Sequence, residues 1–452
     1  MTATGAPAAR AGLPARVAGR HTGTWAVYRA ERRKLSSQLA VRLLALICVL
    51  GPFLFAAVLK VQSGSPTDDL FGVWVHSSGY ALSLVVLTFA GSWGFPLMAG
   101  IVTGDMFSAE DRYGTWKMLL TRSCTRRDLF VGKLLVAATF SLGLLLVTAV
   151  ASIAAGVLLV GNQSLVSLSG TLFSPGRSLG LVLLSWLLCA PPTLAFASLA
   201  ALLSITTRNG IMGVVGPGLA ALAMQLLLLV GAGVWAHSLL VGSAFGGWHA
   251  LFTEHPFYGQ LAVAIAVSVL WTVACLAISW SILRGRDFAG TPVVRRQGWG
   301  MPVRVVLALA AVVTFLAIAG NWGPAGVTSA RLQASLTPTF NNLTLIQQRE
   351  LGRTVPPGAK LDIVPTCSRR GSTPRGPGDW ICTMNVFIPQ PGAVPFQQTP
   401  VTYDVSVDSD GCYKAQSPPS FIGQQTMRDA QGRSVINPLY TIYGCLNILR
   451  GG

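Results

Sequence analysis

Hydrophobic residues along this chain are concentrated in seven long segments, and each segment is separated from the next by a polar or charged connection. A helix needs about 20 mostly apolar residues to cross the hydrocarbon core of a bilayer. The windows that approach this length lie at residues 39–60, 79–102, 132–160, 179–204, 211–235, 259–283 and 303–320. The pattern therefore predicts an all-α membrane body with seven transmembrane helices.

Composition agrees with a membrane protein and argues against one possible partner. The chain is 52% hydrophobic and only 11% charged, whereas soluble domains carry about 25% charged residues. Its formal net charge of +17 would suit a nucleic-acid-binding protein. The basic residues collect in alternate connections, however, as the positive-inside rule of membrane proteins predicts. We expect a lipid bilayer as partner and no nucleic acid.

The same asymmetry of Lys and Arg predicts the orientation of the chain. Basic residues are frequent in three places: before the first window, between the second and third windows, and between the sixth and seventh windows. The short connections on the opposite side contain only Lys60 and Arg177. This predicts a cytoplasmic N-terminus and an extracytoplasmic C-terminus. The abundance of Ala, Arg and Gly favours a bacterial protein, and hence a bacterial cytoplasmic membrane.

The composition changes after Asn321, where polar residues, Pro and Gly become frequent. Asp379–Ile388 and Val401–Val407 alternate like strands, and Asp408–Gly411 has the composition of a turn. We therefore predict a small, mainly β domain. The predicted organisation is a disordered cytoplasmic tail (1–21), a six-span body (22–285), a cytoplasmic linker (286–302), the seventh span (303–320) and an extracytoplasmic domain (321–452).

Four of the eight cysteines lie in the predicted extracytoplasmic domain, namely Cys367, Cys382, Cys412 and Cys445. An even number of cysteines in an oxidising compartment predicts two disulfides. Three pairings are possible, and proximity in sequence favours Cys367–Cys382 and Cys412–Cys445.

The motifs of several enzyme classes are missing from the sequence. It contains no GxxxxGK[ST] phosphate loop, no HExxH and no GxSxG, so we predict neither catalytic residues nor a bound cofactor. The residues His237, His249, His255 and Glu254 precede the sixth window, but their spacing matches no known metal site, and we predict no metal. None of the seven windows contains Asp or Glu, which argues against a transporter driven by ions.

The connection between windows two and three is densely charged and more elaborate than a simple link requires. It contains Glu110-Asp111-Arg112-Tyr113-Gly114-Thr115, a short amphipathic segment with Leu119 and Leu120, Arg126, and Gly132-Lys133. This run resembles the permease subunits of type-2 ABC exporters, which show an acidic residue, a Gly-Thr pair, a Leu-rich short helix, a TP-x-S-R segment and a Gly-Lys pair. The family's proline is replaced here by Ser123-Cys124. The resemblance covers residues 20–285.

The resemblance implies a six-span permease body, to which the seventh span and the C-terminal domain are additions. It implies a separately encoded ABC ATPase that binds ATP-Mg, and a homodimer or a heterodimer with a second permease. The ATPase would contact the 105–131 loop and a helix in the inner headgroup region that includes Trp25, Tyr28 and Arg32. The implied coupling residues are Glu110, Asp111, Arg112, Gly114, Thr115, Arg126 and Lys133.

Two other classes of protein stay open at this stage. A membrane-anchored sensor or assembly protein would act through its extracytoplasmic domain. An ion-coupled secondary transporter usually has acids in its spans, although backbone and hydroxyl oxygens can also bind sodium. At the start of the fifth span, Gly210, Gly213, Gly216 and Gly218 predict close packing of helices.

Overall fold

A computed structural model describes residues 23–61, 69–121, 124–229, 238–286, 326–356, 358–388 and 397–448. Within these ranges, six helical segments are long and apolar enough to cross a membrane. They correspond to the first six predicted windows. The seventh predicted span and nearly all of the linker before it lie outside the described residues.

Eleven α-helices make up the described membrane part. Their bounds are α1 Thr24–Ser37, α2 Leu39–Val61, α3 Gly79–Phe89, α4 Phe95–Thr103, α5 Ser108–Arg112, α6 Trp116–Thr121, α7 Arg126–Leu159, α8 Pro175–Leu188, α9 Ala190–Thr207, α10 Gly210–Leu229 and α11 Tyr258–Arg284. A π-helical turn joins α3 to α4, and α8 continues into α9 after Cys189. The short strands β1 Leu165–Val166 and β2 Leu172–Phe173 pair between α7 and α8.

Helix α7 begins six residues earlier than the sequence predicted. Thr125 is its N-cap, because the Thr125 Oγ1 accepts a hydrogen bond of 3.1 Å from the amide of Asp128. Such a cap satisfies a free amide at the start of a helix, and the charged first turn hid this start from a search for apolar residues. Gly132 and Lys133 therefore lie inside the helix, and they do not open it.

Glycines bring the membrane helices into backbone contact, as the sequence predicted for the fifth window. A Cβ added at Gly213 on α10 would lie 2.1 Å from the carbonyl oxygen of Gly104, next to the end of α4. A Cβ at Gly100 would lie 2.1 Å from the Val214 oxygen. Only residues without a side chain allow helices to approach so closely.

The C-terminal domain packs one long helix on an antiparallel sheet. Its elements are α12 Ser329–Glu350, β3 Asp362–Arg369, β4 Gly378–Ile388, β5 Gln397–Val407, β6 Cys412–Gln416, α13 Pro419–Ile422, β7 Thr426–Arg428, β8 Ser434–Ile436 and β9 Thr441–Cys445. The five-stranded sheet has the order β3-β4-β5-β6-β9, and β7 pairs with β8. The buried side chains of Trp380, Tyr403 and Tyr413 form the core with Leu336 and Phe340 of α12.

The mainly β character of this domain was predicted correctly, and so were its two central strands and the 408–411 turn. Helix α12 was missed. Its signal is present in the sequence, because Leu332, Leu336 and Phe340 recur at four-residue intervals, and the Thr328 side chain caps its first turn. A polar composition around these residues obscured the helical spacing.

The two disulfides join the pairs that proximity favoured, Cys367–Cys382 and Cys412–Cys445. In each case the two cysteines face one another on neighbouring antiparallel strands. Hydrogen bonds also hold the domain to the membrane part. The Asn342 Nδ2 donates to the Ser169 backbone oxygen at 2.8 Å.

Candidate functional site

The charged connection between α4 and α7, residues 104–125, is called the charged loop below. It contains α5 and α6, joined by a turn in which Gly114 has a φ of +64°. This left-handed conformation favours glycine, and an added Cβ would meet nothing within 4 Å. Backbone conformation, and not space, therefore explains the glycine. The backbone amide of Thr115 donates to the backbone carbonyl oxygen of Glu110 at 3.1 Å and closes the turn.

A group of charged and polar side chains, most of them buried, holds this turn against the membrane helices. We call Glu31, Lys34, Glu110, Thr115 and Lys133 the Lys133 cluster. The Lys133 Nζ donates to the Glu31 Oε1 at 2.7 Å and to the Glu110 Oε1 at 3.1 Å. Lys34 donates to the same Glu110 oxygen at 2.8 Å, and the Thr115 hydroxyl donates to its other oxygen. The cluster joins α1, α5, the turn and α7.

Burial makes these ion pairs different from pairs on the surface. The side chain of Lys133 is fully buried, and those of Glu110 and Glu31 are only 6% and 12% exposed. The Lys133 ammonium also donates to the Met106 oxygen at 2.9 Å, so three acceptors surround it. Removing one partner of a buried ion pair leaves an uncompensated charge at a cost of about 3–5 kcal/mol. The cluster therefore forms a joint between the charged loop and the helices α1 and α7.

The charges within the cluster balance, with two ammonium groups and two carboxylates. Burial lowers the pKa of Lys34, but its hydrogen bond to Glu110 and the negative charge of Glu31 outweigh this effect, so that its pKa is raised. Lys34 is consequently a cation at neutral pH. It is about half exposed and closes the side of the cluster that faces solvent.

Helix α1 contributes its buried face to the site. Val27, Glu31 and Leu35 follow one another at four-residue intervals, which places them on one side of a helix. Val27 and Leu35 are buried. A Cβ added at Gly132 would lie 2.7 Å from the Val27 side chain, so this glycine allows α1 to lie directly against α7.

Comparison with known families gives a match to a large part of the membrane region. Residues 28–215 match the family model described as ABC-2 family transporter protein. This stretch is an ABC-2 family transporter domain. It includes the whole charged loop and every member of the Lys133 cluster, and it ends before α11 and the C-terminal domain. Membrane subunits of this family generally pair with an ATPase. No curated protein matches the sequence significantly.

The other residues that the sequence singled out in the ABC-2 domain make separate contacts. Asp111 forms an ion pair of 3.0 Å with Arg286, directly after α11. Burial lowers the pKa of Arg286, and the charge of Asp111 partly offsets this effect. Arg112 pairs with Asp105 at 2.8 Å near the surface.

Arg126 also contacts the end of α11, at some distance along the chain. Its guanidinium Nη1 donates to the Arg284 oxygen at 2.6 Å. Together with the pair between Asp111 and Arg286, this bond ties the end of the last described span to α5 and to the start of α7. Of the seven implied coupling residues, only Glu110, Thr115 and Lys133 belong to the cluster, while Arg126 and Asp111 meet α11.

The interfacial residues predicted on α1 lie away from the cluster. Trp25 is 59% exposed and stacks on Tyr28 with the ring centroids 4.8 Å apart. Arg32 is exposed. These residues form the outer face of α1, whereas the buried face carries Glu31.

The charged loop also presents an exposed surface of mixed character. Tyr113 and Met118 are 71% and 57% exposed, and Lys117 is exposed beside them. Trp116 is buried beneath them with 5% of its surface exposed. We call the exposed residues Tyr113, Lys117 and Met118 the loop knob.

Three residues of the site were not identified by sequence reasoning, namely Glu31, Lys34 and Arg286. Glu31 did leave a signal, because an acid occupies the apolar stripe of an otherwise basic helix. Arg286 left none, because 175 residues separate it from Asp111, and only the folded chain brings them together.

Proposed function

We propose that this protein is the permease subunit of an ATP-driven ABC exporter, coupled to a separate ATPase through the charged loop. The single observation that supports this most is the Lys133 cluster. A partner that pushes on the loop needs a stiff connection to the spans, and buried, fully hydrogen-bonded ion pairs supply stiffness.

Under this proposal, the loop knob is the docking surface for the ATPase. Its exposed aromatic and Met side chains suit a protein interface, where such residues are enriched. Movement of the knob would pass through Glu110 and Lys133 to α7 and α1, and through Asp111 to the end of α11. The predicted coupling residues would then transmit force, and they would not catalyse a reaction.

The distribution of basic residues supports a cytoplasmic N-terminus and charged loop and an extracytoplasmic C-terminal domain. The abundance of Ala, Arg and Gly supports a bacterial protein in a cytoplasmic membrane. ATP-Mg would bind to the partner ATPase. Helices α10 and α11 leave most of their surface exposed, which is available for lipid or for a second permease. We propose that the transport pathway lies between two permeases.

The test is affinity purification from the native membrane, followed by mass spectrometry and an ATPase assay. A stoichiometric P-loop ATPase is expected with the wild-type chain, and Met118→Glu is expected to reduce its recovery at least tenfold. Phe421→Glu is the matched control, because Phe421 is similarly exposed at 50% but belongs to the C-terminal domain. A stable complex that lacks a nucleotide-binding subunit would contradict the proposal and favour a sensor or assembly role.

A second variant separates docking from coupling. Glu110→Gln keeps the shape of a buried side chain but removes its charge, so the knob remains and the joint weakens. We expect the ATPase to bind this variant while substrate-stimulated ATP hydrolysis falls. Unchanged stimulation in a complex of normal stoichiometry would show that the cluster has no part in coupling.

A further inference from the structure

A small cavity lies where the C-terminal domain meets the membrane part. Its volume is about 60 Å³, and its lining includes His249, Gln260, Asp410 and Cys412. His249 belongs to a 3-10 helix, Ser243–Phe252, that precedes α11. Gln260, near the start of α11, donates a hydrogen bond of 3.3 Å from its side-chain amide to the backbone carbonyl oxygen of Asp410. The cavity is thus lined by two parts of the chain that are distant in sequence.

The imidazole of His249 is unusual among the described residues. Both ring nitrogens are buried, and neither has a hydrogen-bond partner in the part of the chain that the structure describes. Buried polar atoms nearly always have such a partner. The ring is fixed by an edge-on contact with Trp248, at 4.2 Å between the centroids. A rigid imidazole with an unused nitrogen at a cavity suits a metal ligand.

Two further ligand types lie beside this imidazole. One nitrogen of His249, a carboxylate oxygen of Asp410 and the Sγ of Cys412 all lie within 4.8 Å of one another. The Asp410 Oδ1 accepts a hydrogen bond of 2.8 Å from the Cys412 amide, which orients the carboxylate. Ligand atoms around a tetrahedral zinc ion, at about 2.0–2.3 Å from the metal, are roughly 3.5 Å apart. The three ligand atoms would have to move closer together by about 1 Å to bind one zinc ion.

The Cys412 sulfur is not a ligand while it is bonded to Cys445, since zinc binds the thiolate. We propose that reduction of the Cys412–Cys445 disulfide opens a zinc site formed by His249, Asp410 and Cys412. One nitrogen, one oxygen and one sulfur ligand form a set that zinc accepts, with the fourth position open to water. The bound metal would join the C-terminal domain to the membrane part.

The reductant in this proposal is a small dithiol. The dithiol transfers two electrons and two protons, its own sulfurs form a disulfide, and the bond between Cys412 and Cys445 breaks to give two thiols. When Zn²⁺ binds, the proton of the Cys412 thiol passes to water. The site therefore exists only in the reduced protein.

The two sulfurs of this disulfide provide a matched pair of variants. Cys412 lines the cavity with His249, whereas Cys445 lines a different cleft that includes Glu254 and Arg331. Cys445→Ser frees the thiol of Cys412, and Cys412→Ser frees the thiol of Cys445. Each variant lacks the same bond and has one additional thiol.

The experiment measures Zn²⁺ affinity of the full-length protein in detergent, by competition with a chromogenic chelator. Cys445→Ser is expected to bind one Zn²⁺ more than the oxidised wild type, and adding His249→Ala is expected to weaken this binding at least tenfold. Cys412→Ser is expected to bind no additional Zn²⁺. Equal binding by the two cysteine variants, or no effect of His249→Ala, would overturn the proposal.

A measurement on the wild-type chain covers the case in which the variants do not fold. The protein is reduced with a dithiol, freed of the reductant, and alkylated with and without Zn²⁺, and its cysteines are mapped by mass spectrometry. Zn²⁺ is expected to slow alkylation of Cys412 at least tenfold relative to Cys445. Equal protection of both cysteines, or of neither, would contradict the proposed site.

Discussion

Replacing Lys133 by Met tests whether the buried cluster is the joint of the charged loop. The substitution keeps a long side chain but removes the only fully buried cation of the cluster. Glu31 and Glu110 would remain as carboxylates, each mostly buried. The like charges would then face one another with only Lys34, at the solvent side, to compensate them.

The distances give the size of the expected effect. At 3.1 Å from Glu110, Lys133 has a Coulomb attraction of about 5 kcal/mol with an effective dielectric constant near 20. The lower desolvation cost of the variant offsets part of this attraction. Removing one partner of a buried ion pair generally lowers the free energy of unfolding by about 3–5 kcal/mol. Lys34→Met should lose less than about 1 kcal/mol, because Lys34 is about half exposed and solvent screens its pair.

The assay is equilibrium unfolding in mixed micelles titrated with a denaturing detergent, applied to both single variants. The double variant Lys133→Met/Glu110→Gln is measured with them, because removing one of the two carboxylates relieves their repulsion. We expect it to be more stable than Lys133→Met alone. Equal losses for Lys133→Met and Lys34→Met, or a double variant whose losses simply add, would refute the reasoning.

Three further predictions concern other parts of the fold. Gly213→Ala should destabilise the protein by about 1–3 kcal/mol or more, because its Cβ would collide with the Gly104 backbone. The control is Gly143→Ala, where the added Cβ has open space. It should be neutral or stabilising in the same unfolding assay. Arg286→Met should remove the ion pair between the end of α11 and the mostly buried Asp111. Hydrogen exchange at the end of α11 should then become faster, whereas unchanged protection would count against this tie. Burial raises the pKa of Tyr403, so the unfolded state loses the phenol proton at lower pH than the folded state. The free energy of unfolding should therefore fall as pH rises above about 10. Tyr403→Phe should show a smaller fall, and identical pH profiles would contradict the assignment.

Much of the membrane part was predictable because the signal of a span is local. A window of apolar residues long enough for the bilayer identifies a helix without reference to the rest of the chain, and all six described spans were found in this way. The close helix packing at the glycines of α10 and the two disulfides were also predicted. Glycines in a span favour close approach of helices, and paired cysteines in an oxidising compartment form disulfides. The start of α7 was missed because its first turn is charged.

Other features depend on residues that only the folded chain brings together. Lys133 meets Glu31 across 102 residues and Glu110 across 23, and nothing in the local sequence distinguishes a buried lysine from one that faces solvent. His249 similarly reaches Asp410 only because the C-terminal domain docks beside the 3-10 helix. The sequence by itself determined the spans, the charged loop and the disulfide-bonded domain, because hydrophobic length and residue chemistry are local properties. The tertiary structure decided which charges are buried together, because an ion pair depends on distance in space and not on separation along the chain.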